Sequence, residues 1–211
     1  MRHYIYKMTT DNGGAPCVTN DLLTLAICKP QIRSTARKGD WIYGFGGKDL
    51  GGRFLYVAKV ADRFAKGAYY RLPEYARRGD CIYHYKGDTL ELRPTAKYHK
   101  KPENKDRDIG LYSDYVEANV LISEDFRYFG DKGEALDSSE YPLLAALLAK
   151  LTQGHRVNHD PELIKELGKL HDKWWDAYPN IKKIGSPTHK DLGKCCSGDG
   201  GCVVCDKSPK R

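Results

Sequence analysis

No run in this 211-residue chain approaches the roughly 20 consecutive apolar residues that span a bilayer. The opening stretch Met1-Arg2-His3-Tyr4-Ile5-Tyr6 also lacks the apolar core and small-residue cleavage site of a secretory signal. A soluble, cytoplasmic protein is therefore expected. The 7 cysteines are odd in number and crowd toward the C-terminal end, which argues against a secreted disulfide framework. Neither a Ser-His-Asp signature nor a phosphate-loop signature is legible, so no ready-made hydrolase or nucleotide triphosphatase is implied.

What the chain does carry is grouped positive charge, with a formal net of +7. Lys29, Arg33, Arg37 and Lys38 form one group, and Arg93, Lys97, Lys100, Lys101, Lys105 and Arg107 another. Such groups neutralise phosphates and release counterions, although solvated loops are also often basic. An internal echo accompanies them: Arg37-Lys38-Gly39-Asp40-Trp41-Ile42-Tyr43 is matched by Arg77-Arg78-Gly79-Asp80-Cys81-Ile82-Tyr83. Each copy reads as a basic Gly-Asp turn feeding a buried strand, because Gly accepts positive φ and Asp bonds its own backbone.

Strands are expected at Arg2 to Met8, in both Gly-Asp copies with their aromatic and β-branched residues, at Ala118 to Ser123 and Phe126 to Phe129, and at Arg53 to Val60, where the alternation has a period of two. Ile32 to Arg37 is expected to form a short helical turn. Pro94 to Asp108 is a long polar stretch of the kind that is functional or disordered in a compact domain. The last third changes to a 3.6-residue period. One helix is expected from a Ser139 cap through Leu143, Leu144, Leu147, Leu148 and Leu151. A second is expected from Asp160-Pro161 through Leu163, Leu167, Leu170 and Trp174 to Tyr178-Pro179. The fold class is thus α+β: a small PUA-like β-barrel with flanking helices and a C-terminal helical pair, over residues 1–180, followed by a flexible, basic Cys-rich tail over 181–211.

Residues of a nucleobase pocket cluster near the N-terminus. Aromatic faces come from Tyr4, Tyr6, Trp41 and Tyr43, carboxylates from Asp11 and Asp40, and cations from Lys7, Lys29 and Arg33. Stacking rings, an acceptor for ring or exocyclic N–H and a cation for phosphate or keto oxygen are what base recognition needs. Trp41 is expected to serve mainly as core, and Asp40 equally well as a turn former. Asp11 and Lys7 are the candidates for stabilising or trapping a cationic sugar centre, but no nucleophile, base and orienter are legible as a set. In the tail, Cys195, Cys202 and Cys205 with His189 offer candidate zinc ligands. Cys202-Val203-Val204-Cys205 has the spacing that lets two sulfurs reach one tetrahedral ion, while the vicinal Cys195-Cys196 pair departs from a zinc knuckle.

Taken in order, Tyr4-Ile5-Tyr6-Lys7, Asp11, Ala15-Pro16, the run Leu23 to Arg33, Gly39-Asp40-Trp41-Ile42-Tyr43-Gly44, Gly79-Asp80-Cys81-Ile82-Tyr83 and Val120 to Gly130 resemble the nucleotide modification associated domain, type 2. Cys81 departs from the polar residue expected at its position, and the tail cysteines lie outside the family pattern. A looser likeness links the Gly-Asp strands to PUA, ASCH and EVE barrels. The resemblance implies a module that binds or processes a modified nucleobase, in DNA more readily than RNA, within a prokaryotic or phage DNA-modification or defence pathway. An enzyme on modified DNA, such as a glycosylase or base-exchange activity, and a protein-interaction subunit are the alternatives.

Overall fold

The computed structural model describes residues 1–152 and 154–189 in full, and the backbone of Lys194–Ser197 and Gly201–Val204. Three layers organise it. A mixed five-stranded sheet is built from β1 (His3–Met8), β4 (Trp41–Gly46), β5 (Phe54–Lys59), β10 (Asp125–Tyr128) and β11 (His155–Arg156), in the order β10-β5-β4-β1-β11. A four-stranded sheet, ordered β2-β3-β9-β6, comprises β2 (Cys17–Thr19), β3 (Leu22–Leu25), β6 (Asp62–Phe64) and β9 (Val120–Ser123). The hairpin of β7 (Tyr83–Lys86) and β8 (Thr89–Leu92) completes this side.

The architecture is α+β, as expected, but among the described residues no sheet closes on itself. Two continuous strand pairs turn a corner instead: β5 pairs with β10 in the first sheet, and their continuations β6 and β9 pair in the second. The outer edge of β10, which a barrel would close upon, is covered by the segment after the last helix. Tyr128 N–H donates to Lys182 O at 2.8 Å and receives Ile184 N–H on its own carbonyl at 2.8 Å. A covered edge has no free ladder to offer another strand.

One core lies between the sheets and contains Tyr6, Leu25, Tyr56, Tyr83 and Phe126. The second lies between the five-stranded sheet and the two C-terminal helices, α3 (Pro142–Lys150) and α4 (Pro161–Ala177), and contains Ile5, Trp41, Tyr43, Leu144, Leu167 and Trp174. Both faces of the five-stranded sheet are therefore apolar, which is why its strands carry near-continuous buried runs. Gly44 allows this packing, since a Cβ there would meet the Tyr56 ring at 2.3 Å.

The helical pair follows the expected period, with Leu163, Leu167, Leu170 and Trp174 buried on α4. The caps differ. Neither Ser139 nor Asp160 caps through its side chain; Ser139 bonds Asp137, and α3 is capped from its neighbour. Glu166 on α4 accepts the N–H groups of Leu143 and Leu144 at 3.0 and 2.8 Å, satisfying donors that a helix start leaves unpaired. The short helix α1 is Pro30–Thr35. The stretch expected to be a long polar loop is part helix, α2 spanning Pro102–Ile109. After β6 the chain makes 3-10 turns at Ala68–Arg71 and Pro73–Tyr75.

Candidate functional site

The residues expected to form one base pocket do not converge. The five-stranded sheet divides them, with Tyr4 and Tyr6 in the inter-sheet core and Trp41 and Tyr43 in the core against the helices. Trp41 stacks edge-on against His171 and Trp175 of α4 at 5.0 and 5.5 Å between centroids. Tyr43 lies with its hydroxyl 3.3 Å from His3 Nδ1. Both are core residues here.

The two carboxylates are structural acceptors. Asp40 takes the backbone N–H groups of Arg2 and Arg37, at 2.8 and 3.0 Å, and the Arg2 guanidinium at 2.8 Å. Burial pushes its pKa up, but these hydrogen bonds and the Arg2 charge outweigh burial and hold it below the usual value. Asp11, with no exposed surface, accepts Tyr128 O–H at 2.7 Å and the N–H and O–H of Thr188 at 3.1 and 3.2 Å. Its backbone carbonyl takes His189 N–H, and its N–H donates to His189 Nδ1. Burial raises its pKa against these bonds. Asp11 is thus a clasp for residues 188–189, and the stretch expected to be a free tail from residue 181 is strapped to the sheet as far as His189.

Arg33 is corrected most sharply. Instead of facing a phosphate it is fully buried, and it donates to Cys28 O at 2.6 Å, Asn119 O at 2.6 Å, Glu117 O at 2.7 Å and Asp108 O at 3.2 Å. A guanidinium enclosed among carbonyls is out of a phosphate's reach. In the expected zinc set, Cys205 lies outside the described residues, only backbone is described for Cys195 and Cys202, and the His189 ring faces Asp11. Among the described residues no group of three or more His, Cys, Asp or Glu could hold a metal.

Three of the expected residues, Tyr4, Tyr6 and Lys29, do come together at the corner where β1 meets the start of α1. Lys29, in the left-handed region at φ 45°, sets its ammonium 4.8 Å from the Tyr6 ring centroid and 3.5 Å from Lys7 O. Tyr4 stands beside His155, with ring centroids 5.5 Å apart. Burial, then the Lys29 and Arg156 charges, lowers the pKa of His155, which leaves Lys29 as the cation of this corner at neutral pH.

Immediately before Lys29 lies a set that the sequence reading missed. Cys28 Sγ is 3.3 Å from His99 Nε2, and His99 Nδ1 is 2.5 Å from Asp108 Oδ2. The Tyr83 hydroxyl donates to the same Asp108 oxygen at 2.9 Å. The long polar stretch delivers both His99 and Asp108, and its length was the one signal available. Nothing local pairs either residue with a cysteine about seventy residues away.

The family model for the nucleotide modification associated domain 2 matches residues 1–191. The chain belongs to this family. No curated protein and no solved structure matches the chain. As a nucleotide modification associated domain 2 member, the chain has a role connected with nucleotide modification, and the match takes in every element from β1 to α4 together with the strap that Asp11 clasps. Among the described residues no helix is long and apolar enough to cross a membrane.

Proposed function

We propose that this protein engages a modified nucleobase, in DNA or as a nucleotide, within a prokaryotic or phage DNA-modification pathway, and that the base is held at the corner formed by Tyr6, Lys29 and His155. The observation that carries the reading is Lys29. A non-glycine residue held in the left-handed region is a local strain of the kind concentrated at functional sites. Here it aims a half-buried ammonium over an aromatic face, against the Lys7 carbonyl and near a histidine. The Lys29 cation supplies the phosphate or keto contact of base recognition, and the half-buried His155 ring near it supplies an aromatic face. The family match supports a nucleotide as the ligand class.

Plain duplexes and duplexes carrying hydroxymethylcytosine, methyladenine or deazaguanine provide the test. Tighter binding to a modified duplex, lost in Lys29→Glu, supports the reading; equal binding to all duplexes by both proteins contradicts it. Nucleoside mass spectrometry after incubation separates a reader, which leaves the base intact, from an enzyme.

A second reading draws on a separate cleft of about 390 Å³ lined by Arg77, Arg78, Arg93 and Lys97. Arg78 and Arg93 are engaged with the protein's own hydroxyl and carbonyl oxygens, which leaves Arg77 and Lys97 as its exposed cations. This cleft fits a backbone-contacting track for nucleic acid rather than a base pocket.

A further inference from the structure

We infer that Cys28, His99 and Asp108 form a nucleophilic relay whose thiol attacks an amide- or ester-type carbonyl carbon of the substrate. This goes beyond the binding role proposed above and rests on that reading only for the expectation that the acyl group is carried by a nucleobase.

The geometry assigns each role. Asp108 accepts Tyr83 O–H on Oδ2, and its Oδ1 lies 3.4 Å from Cys28 N–H. A carboxylate used as an acceptor on both oxygens calls for a proton on His99 Nδ1, which it meets at 2.5 Å. That tautomer leaves the Nε2 lone pair directed at Cys28 Sγ, 3.3 Å away, the arrangement of nucleophile, base and orienter that activates a weak nucleophile. Tyr83 and Arg33 are positioning residues: the first fixes the carboxylate, and the second ties Cys28 O to Asp108 O through one guanidinium.

The backbone agrees. Cys28 at φ 59° and His99 at φ 48° both sit in the left-handed region that side chains other than glycine rarely adopt. Two strained residues whose side chains meet each other are more than a packing accident requires. The other described cysteines contrast with this. Cys17 and Cys81 are also buried, but their sulfurs face the Thr19 hydroxyl and the Tyr83 carbonyl rather than a ring nitrogen.

In the first step the Cys28 S–H proton passes to His99 Nε2 as the S–C bond forms. The C–N or C–O bond of the substrate then breaks, and the same proton leaves on the departing amine or alcohol. Water adds to the resulting thioester, gives one proton to His99, and the acid departs as Cys28 regains its proton. No electron is gained or lost.

Iodoacetamide and p-nitrophenyl acetate are the probes, read by peptide mass spectrometry on the intact protein at pH 7. The expected result is labelling of Cys28 at least tenfold faster than Cys17 and Cys81, and an acetyl group on Cys28. The rate should fall about tenfold in His99→Ala and recover with added imidazole, with melting temperatures measured in parallel. Cys28 labelling no faster than that of Cys17 and Cys81 in the unmodified protein overturns the relay, whether or not the variants fold. Alkylation without acetylation overturns the acyl assignment. Neither probe contains a nucleobase, so a failure here leaves the binding role standing, and a failure of the duplex comparison leaves the relay standing.

Discussion

Replacing Arg33 by Met should unfold this protein more readily while leaving its charge-driven affinity for DNA untouched. Arg33 is fully buried, and its guanidinium serves the carbonyl oxygens of Cys28, Asp108, Glu117 and Asn119. Met nearly fills the same space, so the loss comes from acceptors deprived of a charged donor rather than from a cavity. A buried acceptor left unpaired costs about 1 to 3 kcal/mol, and with partial relaxation of the loop after Asp108 the sum is about 3 to 5 kcal/mol. For a chain of this size each kcal/mol moves the melting temperature by roughly 2 to 4 °C, which gives a fall of about 6 to 20 °C. Urea titration and differential scanning fluorimetry measure the loss. The salt dependence of DNA binding, measured on the folded fraction, should keep its slope. A buried charge exchanged for an apolar residue is sometimes neutral. A melting temperature within a degree or two of the parent would therefore refute the claim that Arg33 clamps these loops, and a shallower salt slope would return it to the phosphate contact that its sequence neighbours Lys29, Arg37 and Lys38 imply.

Asp11→Asn turns an N–H group toward donors that now meet an oxygen, so amide exchange at Thr188 and His189 should quicken with a stability loss of about 1 to 3 kcal/mol; unchanged exchange would contradict the clasp. The lowered pKa values of His3 and His155, due first to burial, mean that the unfolded chain takes up protons before the folded one does. Stability should therefore fall as pH drops through 6.5, the ordinary histidine value, toward their lower folded values. His155→Gln should flatten part of that slope in urea titrations across the range, and an unaltered profile would contradict the burial of His155 as its source. Glu166→Ala removes the acceptor for the first turn of α3 and should cost about 1 to 2 kcal/mol by urea denaturation; no change would show the cap to be replaced by water.

The strands and the helical pair were legible in the sequence because each depends on a repeat visible over a few residues. The period of Leu163, Leu167, Leu170 and Trp174 names the buried face of α4 directly. The Gly-Asp echo was legible as a turn, and Gly39 does take positive φ at +90°. It hid the depth of both carboxylates: Asp80, like Asp40, is buried, and it accepts Thr24 and Tyr69 hydroxyls at 2.6 and 3.1 Å. Arg33 was misread because a buried arginine and a surface arginine are spelled alike in a basic segment. The barrel was misplaced because closure depends on what covers the edge of β10, and that cover comes from residues about fifty-five positions further along. The corner of the molecule that carries Cys28, His99 and Asp108 was invisible for the same reason: chain separation hides contacts that only the folded loops create.

The most direct measurement compares the affinity of the parent and Lys29→Glu proteins for duplexes with and without a modified base, at fixed salt. The account predicts that at least one modified duplex binds the parent at least tenfold more tightly than plain DNA, about 1.4 kcal/mol, and that Lys29→Glu abolishes the difference while the protein stays folded. Equal affinity for every duplex, or a preference that survives in Lys29→Glu, would contradict a nucleobase held at the Lys29 corner.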